Sequence, residues 1–179
     1  MYGLVNQGIK DLVLKISDHE TWLRICHDSN APNEFASMHY YEDEITYRLV
    51  AATSKALNLN PESILSEFGK YWIHYTAKEG YGALMDLFGN DFKSCLKNLN
   101  HLHTRMGMTM PQLTPPSFVY TEISNDIIQL EYQSKRPGLS PMVSGLIEGL
   151  AKKHGTKIEI GFNEQDNRKI FTISILGHQ

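Results

Sequence analysis

Thiols are scarce in this chain: Cys26 and Cys95 are the two cysteines among 179 residues. That number excludes a disulfide scaffold and falls short of a cysteine-built zinc or iron–sulfur site. Excess charge is lacking too, since 17 Lys and Arg against 20 Asp and Glu leave a formal net charge of −3. Nucleic-acid binders carry a basic patch or a strongly basic balance, so nucleic acid is not expected as a partner. Long apolar runs are also missing. Lys10 interrupts the N-terminus before a signal-type segment can form, and the uncharged stretch 106–121 holds Pro111, Pro115 and Pro116, which rule out a spanning helix. A membrane association is therefore not expected, and a reducing, cytoplasmic setting with both thiols free is. No His-x-x-x-His or His-Glu-x-x-His pattern occurs, which leaves a zinc hydrolase without support.

What is present is ordinary for a globular protein, with 41% hydrophobic and 21% charged residues. The length fits one domain that buries roughly two thirds of its unfolded surface and has room for an internal cavity. Eight histidines are the one compositional surplus.

The chain reads as helices first and strands afterwards. Leu4/Val5, Ile9, Leu12/Val13 and Ile16 recur at helical spacing, predicting a helix over 2–16. Asp18 caps a second, short helix, 43–58 forms a third, and Pro61 opens a fourth with Ile64, Leu65, Phe68, Trp72 and Tyr75 as its stripe. A helix over 91–106 follows a glycine-marked break at 80–82. After Pro116 the period falls to 2, and 117–123, 127–136, 157–162 and 169–176 read as strands, with a helix over 140–153 between the second and third. The expected class is α+β, a helical N-terminal part followed by a mostly antiparallel four-stranded sheet with packed helices. Gly145 and Gly149, four apart, fit ordinary helix–sheet packing; a close approach between subdomains is the alternative.

His103 shares a stripe with Phe92, Leu96, Leu99 and Met106, so it points inward, while His101 lies about 200° around the helix and points out. The pair cannot chelate one metal. Two readings of His103 stand: a core histidine satisfied by a backbone carbonyl, or a single axial ligand to a metal cofactor in an apolar pocket, as in haem proteins. His74, His19, His27, His39, His154 and His178 read as solvated. In the strand 127–136, Ile128, Leu130, Tyr132, Ser134 and Arg136 share a face that turns polar toward its end. That face either runs from core into solvent or meets a ligand with an apolar body and carboxylates at one edge, which a guanidinium fork suits. Haem is such a ligand.

An ordered set of segments resembles the haem-nitric oxide/oxygen binding (H-NOX) family, which includes the haem domain of the soluble guanylate cyclase β subunit. The set comprises Met1-Tyr2-Gly3-Leu4-Val5-Asn6, Leu49-Val50-Ala51-Ala52, Phe68-Gly69-Lys70, residues 98–103, Pro115-Pro116-Ser117-Phe118 and Tyr132-x-Ser134-x-Arg136. The resemblance spans nearly the whole chain. It implies one domain over 1–179, with a distal helical subdomain near 1–60 and a proximal helix-and-sheet subdomain near 61–179, and haem b buried between them. It implies His103 as iron ligand, Tyr132, Ser134 and Arg136 as the propionate triad, and Pro116 as the residue that distorts the porphyrin. It places Val5, Ile9, Trp72, Met142 and Leu146 on the distal side, with Met142 where oxygen-binding members carry a tyrosine. Bound O₂ gains from a distal hydrogen bond and NO does not need one, so an apolar distal side predicts a five-coordinate ferrous haem that takes NO, and CO, and excludes O₂. The family pattern further implies weakening of the His103–iron bond by NO, a shift of the His103 helix and rotation of the helical part against the sheet. A stand-alone, non-enzymatic sensor is expected, acting on a separate histidine kinase or diguanylate cyclase. A peroxidase or NO dioxygenase would need a distal acid–base pair, which the distal candidates do not offer. A binding module for another apolar carboxylate is the remaining alternative.

Overall fold

Side-chain caps set the helix boundaries. The Asp18 carboxylate accepts from the Thr21 amide at 2.8 Å and opens α2 (His19–Ser29), which follows α1 (Gly3–Ile16). The Asn60 side chain accepts from the Glu62 amide at 2.9 Å, with Pro61 in the first turn, and opens α4 (Pro61–Thr76). Asn30 and Asn58 end α2 and α3 (Asp43–Leu57) with φ of 50° and 52°, left-handed conformations that asparagine tolerates. The computed structural model describes residues 1–165 and 168–178. After α4 come a kink at Glu79 and Gly80, where Gly80 takes a φ of 93°, then α5 (Gly82–Asp86), α6 (Phe92–Lys97) and α7 (Leu99–Thr109). Then follow β1 (Ser117–Ser124), β2 (Ile127–Gln133), α8 (Ser140–Lys153), β3 (Thr156–Gln165) and β4 (Arg168–His178). The sheet is antiparallel throughout, in the order β1-β2-β4-β3. The class is the α+β arrangement expected. No described helix is long and apolar enough to cross a membrane.

Two expected elements differ. The helix expected over 91–106 is two helices, because Asn98 leaves helical geometry at φ −99° and ψ 8° while its side-chain amide donates to the Phe88 carbonyl at 2.7 Å. The strand expected to reach Arg136 stops at Gln133. There the Ser134 hydroxyl accepts from the Arg136 amide at 3.0 Å, forming a turn, and Pro137 follows.

Apolar side chains form two large cores. Ile9, Val13, Trp22, Ile25, Leu49 and Phe68 fill the space among α1–α4, and Phe92, Leu96, Ile128, Leu130, Phe171 and Ile173 join α6 and α8 to the sheet. A smaller cluster of Tyr2, Leu4, Tyr75 and Met110 lies apart from both. The glycines of α8 serve a helix–helix crossing with α4, and not the helix–sheet packing expected of them. A Cβ on Gly145 would lie 2.0 Å from the Ser66 carbonyl oxygen, and one on Gly69 would lie 2.2 Å from that of Met142. Gly107 in α7 meets nothing within 4 Å. Urea denaturation should therefore find Gly145→Ala destabilised by about 1–3 kcal/mol through forced separation of α4 and α8. Gly107→Ala, in open helical surface, should gain about 0.5–1 kcal/mol; equal effects at both sites would refute a backbone-to-backbone crossing.

Candidate functional site

A cavity of about 320 Å³ lies between the helices and the sheet, bordered by α1, α4, α7, the segment 112–118, β2 and α8. Its walls are overwhelmingly apolar, and its volume falls within the roughly 300–1,000 Å³ typical of cofactor sites. His103 lines it from α7, Pro116 and Phe118 from the strand entrance, Tyr132 from the end of β2, and Ser134 and Arg136 from the turn beyond. Val5, Trp72, Met142 and Leu146 line it as well. Ile9 does not: it is buried in the α1–α4 core and borders a smaller neighbouring cavity.

The His103 ring lies against Phe118, with centroids 6.0 Å apart and planes inclined by 26°. Phe118 continues to Tyr132 at 5.6 Å, so three rings connect α7 to β2. The Asn100 side chain fixes α7 in this position. Its amide donates to the Phe118 carbonyl at 2.7 Å and its carbonyl accepts from the Phe118 amide at 2.9 Å, replacing the strand partner that β1 lacks there. Sequence reasoning missed Asn100. One signal was available, an amide-bearing residue one turn before the inward histidine.

The Nδ1 atom of His103 is buried without a hydrogen-bond partner. Burial disfavours the charged ring and pulls its pKa below the usual value, against a smaller opposing effect of the Pro116 backbone carbonyl. A neutral imidazole is the form that ligates a metal. No group of three or more His, Cys, Asp or Glu side chains that could hold a metal ion occurs among the described residues. Any iron at His103 would thus arrive with its own equatorial ligands, as in haem. A neutral, partnerless ring nitrogen in an apolar cofactor-sized cavity fits that group.

The polar end of the cavity is more elaborate than the strand pattern implied. Burial raises the Tyr132 hydroxyl pKa, against smaller lowering effects of the Ser134 hydroxyl and the Arg136 charge. Arg136 is already ion-paired: its Nε and Nη2 donate to the two Asp43 carboxylate oxygens at 2.6 and 3.2 Å, and its Nη1 donates to the Thr114 carbonyl at 2.5 Å. Asp43 also accepts from the Met1 amino group at 2.6 Å. Burial opposes ionisation of Asp43, but the hydrogen bonds and charges of Arg136 and Met1 prevail and lower its pKa. In sequence Asp43 looks like an ordinary acid in a first helical turn; nothing local reveals a partner 93 residues away.

Hydroxyl-bearing residues also missed from sequence line the cavity: Tyr2, Tyr40, Thr76 and Tyr81. Tyr2 accepts from the Gln112 amide at 3.1 Å, Thr76 donates to the Trp72 carbonyl at 2.8 Å, and Tyr81 points its hydroxyl at the Met38 sulfur at 3.9 Å. Of the other histidines, His19, His27, His39, His74 and His101 are exposed, as expected. His154 departs from expectation: it is half-buried, with Nε2 3.4 Å from the Cys95 sulfur. The His178 side chain lies outside the described residues. Cys26 and Cys95 are both buried, and burial pushes the Cys26 thiol up to about 11.

Residues 2–162 match the family model described as haem-NO-binding. Among curated proteins, the chain is 30% identical over 156 residues to the soluble guanylate cyclase gcy-34 of Caenorhabditis elegans, covering 85% of this chain and 23% of that protein. It is 32% identical over 91 residues to the guanylate cyclase soluble subunit beta-2 of Rattus norvegicus, covering 51% of this chain and 13% of that one. The chain thus spans about a quarter or less of these relatives. Among solved structures, an S. oneidensis H-NOX protein in the Fe(II)NO ligation state has a TM-score of 0.89 at 20% identity, covering 99% of this chain and all of that one. A K. algicida H-NOX protein in the Fe(II) unliganded state has a TM-score of 0.87 at 20% identity, with full coverage of both. The chain belongs to the haem-NO-binding, or H-NOX, family, whose members are haem-based gas-sensor modules and not catalytic domains.

Proposed function

We propose that this domain holds haem b and senses NO, with O₂ excluded, and passes the signal to a separate protein. The observation that carries this reading is the neutral His103 imidazole on the wall of an apolar, cofactor-sized cavity. Haem supplies, when bound, a ferrous iron with one open coordination position. His103 holds that iron from α7. Tyr132, Ser134 and Arg136 receive the propionates, Arg136 sharing its guanidinium between them and Asp43. Pro116, beside His103, presses on the porphyrin. Val5, Trp72, Met142 and Leu146 keep the gas side apolar; Ile9 stands behind them.

Discrimination follows from what these side chains lack. Bound O₂ carries partial negative charge and needs a donor, while NO and CO do not. Met142 offers none, and the Thr76 hydroxyl is spent on the Trp72 carbonyl. With haem in place, a weaker His103–iron bond in the NO-bound state would free α7 and let the distal part, near 1–60, turn against the remainder; a difference in stability between the two states would carry the signal. A histidine kinase or a diguanylate cyclase of a bacterial two-component or cyclic-di-GMP pathway, in the cytoplasm, is the partner we assign.

Absorption spectra of the purified ferrous protein under argon, air and NO test the reading. A Soret band that shifts with NO and stays unchanged in air is expected; absence of a Soret band sinks the haem assignment, and a stable oxy spectrum sinks the exclusion of O₂. His103→Gly should lose haem unless imidazole is added. Arg136→Ala should weaken haem retention by roughly tenfold or more, the value of about 1.5–3 kcal/mol typical of a charged hydrogen bond. Haem transfer to apomyoglobin measures it, and an unchanged transfer rate would remove Arg136 from the propionate site.

A further inference from the structure

Three oxidisable rings follow one another along α4. Tyr71 and Trp72 are neighbours in sequence, so helical geometry turns their side chains about 100° apart. Tyr75, one turn further on, joins them. The Trp72 and Tyr75 centroids lie 5.8 Å apart with the planes inclined by 37°, and those of Tyr75 and Tyr71 lie 6.1 Å apart at 33°. α1 packs directly on the inner pair: a Cβ on Gly8 would lie 3.2 Å from both the Trp72 and the Tyr75 ring. Trp72 lines the cofactor cavity, Tyr75 is buried and Tyr71 is half-buried beside the exposed Lys15, so the series runs from the cavity to the surface.

The outer ring differs from the other two in what surrounds it. The Tyr71 hydroxyl donates to the Asp11 carboxylate, and Lys15 Nζ stands 5.0 Å over the ring. Asp11 also faces Lys78 Nζ at 4.0 Å. A phenol that loses an electron becomes a strong acid. The Lys15 charge opposes a cation on the ring, and Asp11 is a base already in hydrogen-bond contact, so Tyr71 can release electron and proton together and stay neutral. We propose that Trp72, Tyr75 and Tyr71 form an electron path, with Asp11 as its proton acceptor, that reduces one-electron oxidants reaching the cavity. Nitrogen dioxide, which NO and O₂ form together, takes one electron from the Trp72 indole and leaves as nitrite. An electron from Tyr71 passes through Tyr75 to refill the indole. The Tyr71 O–H bond breaks, its proton goes to the Asp11 carboxylate, and a neutral phenoxyl radical stays at the surface. A thiolate from solution then returns one electron, becoming a thiyl radical, and the proton moves back from Asp11. The net change is nitrogen dioxide plus thiolate to nitrite plus thiyl radical, with the cavity wall restored.

The test has two arms. Azide radicals made by pulse radiolysis oxidise indoles ahead of phenols, and of the two tryptophans Trp72 is half-buried and Trp22 fully buried, so Trp72 is the one attacked. In the purified protein, the indolyl absorption should decay into that of a phenoxyl radical at a rate independent of protein concentration. Asp11→Asn, which removes the base and keeps its size, should slow that conversion by about tenfold or more, as expected for loss of a positioned proton acceptor. Tyr71→Phe should abolish the phenoxyl product; an unchanged conversion in either variant overturns the proposal. In the second arm, excess nitrogen dioxide adds to the Tyr71 radical at the ring carbon ortho to the oxygen. That carbon's hydrogen moves to the oxygen, and mass spectrometry should find nitrotyrosine at Tyr71. Trp72→Phe should lose most of this nitration, and equal nitration without the indole overturns transfer from the cavity. The choice of nitrogen dioxide rests on the NO reading above and falls with it if no haem is bound, whereas the azide-radical arm decides the path on its own.

Discussion

α4 and α8 cross so closely at Gly69 and Gly145 that a methyl group on either would strike the backbone of the other helix. The rest of the molecule is arranged around that approach. α4 carries Phe68 into the N-terminal core, and α8 carries Val143, Ile147 and Leu150 into the sheet core. Two separately built hydrophobic bodies are thus joined where side chains are absent. Trp72 on α4, and Met142 and Leu146 on α8, then face the same cavity from the two helices that meet there. Separating the pair by one side-chain width would enlarge the space between them and part Trp72 from Met142 and Leu146 along that wall of the cavity.

The chemistry of the site follows from a contrast between its two ends. At His103 the surroundings are apolar, burial keeps the ring neutral, and Phe118 lies alongside it. At Arg136 the surroundings are charged, and every partner is a carboxylate, a carbonyl or a hydroxyl. One end suits a metal and the other suits anions, which is the polarity of an iron porphyrin with its acidic edge. Because Asp43 reaches Arg136 from the first turn of α3, the charged end of the cavity is also where the N-terminal helices are tied to the turn after β2.

Much of this was legible along the chain, for local reasons. The cap at Asp18, the helix start at Pro61, and apolar stripes of helical or strand period act over a few residues and so survive reading without a structure. The inward phase of His103 is likewise local. What escaped was set by distant partners. The stripe from Phe92 to Met106 keeps its period across Asn98, so the break there is invisible until Phe88 supplies the acceptor for the Asn98 side chain. Arg136 leaves the strand for Asp43 and Thr114, far away in sequence. Val5 and Ile9 lie one turn apart on the same face of α1, and phase sends both inward, but phase does not say that two cavities lie there, nor that only Val5 borders the larger. His154 was misjudged because its partner, Cys95, sits on another helix.

The interruption at Asn98 has a mechanical side. α6 is anchored by Phe92, Cys95 and Leu96 in the sheet core, whereas α7 has no fully buried residue and is secured by Asn100 near its start. An unbroken helix would transmit any displacement of His103 as a lever into that core. Asn98 bends the path instead: its N–H still bonds the Ser94 carbonyl and its carbonyl still accepts from Leu102, while Met110 just beyond α7 is buried, so α7 is a strut held at both ends and set at its own angle to that core.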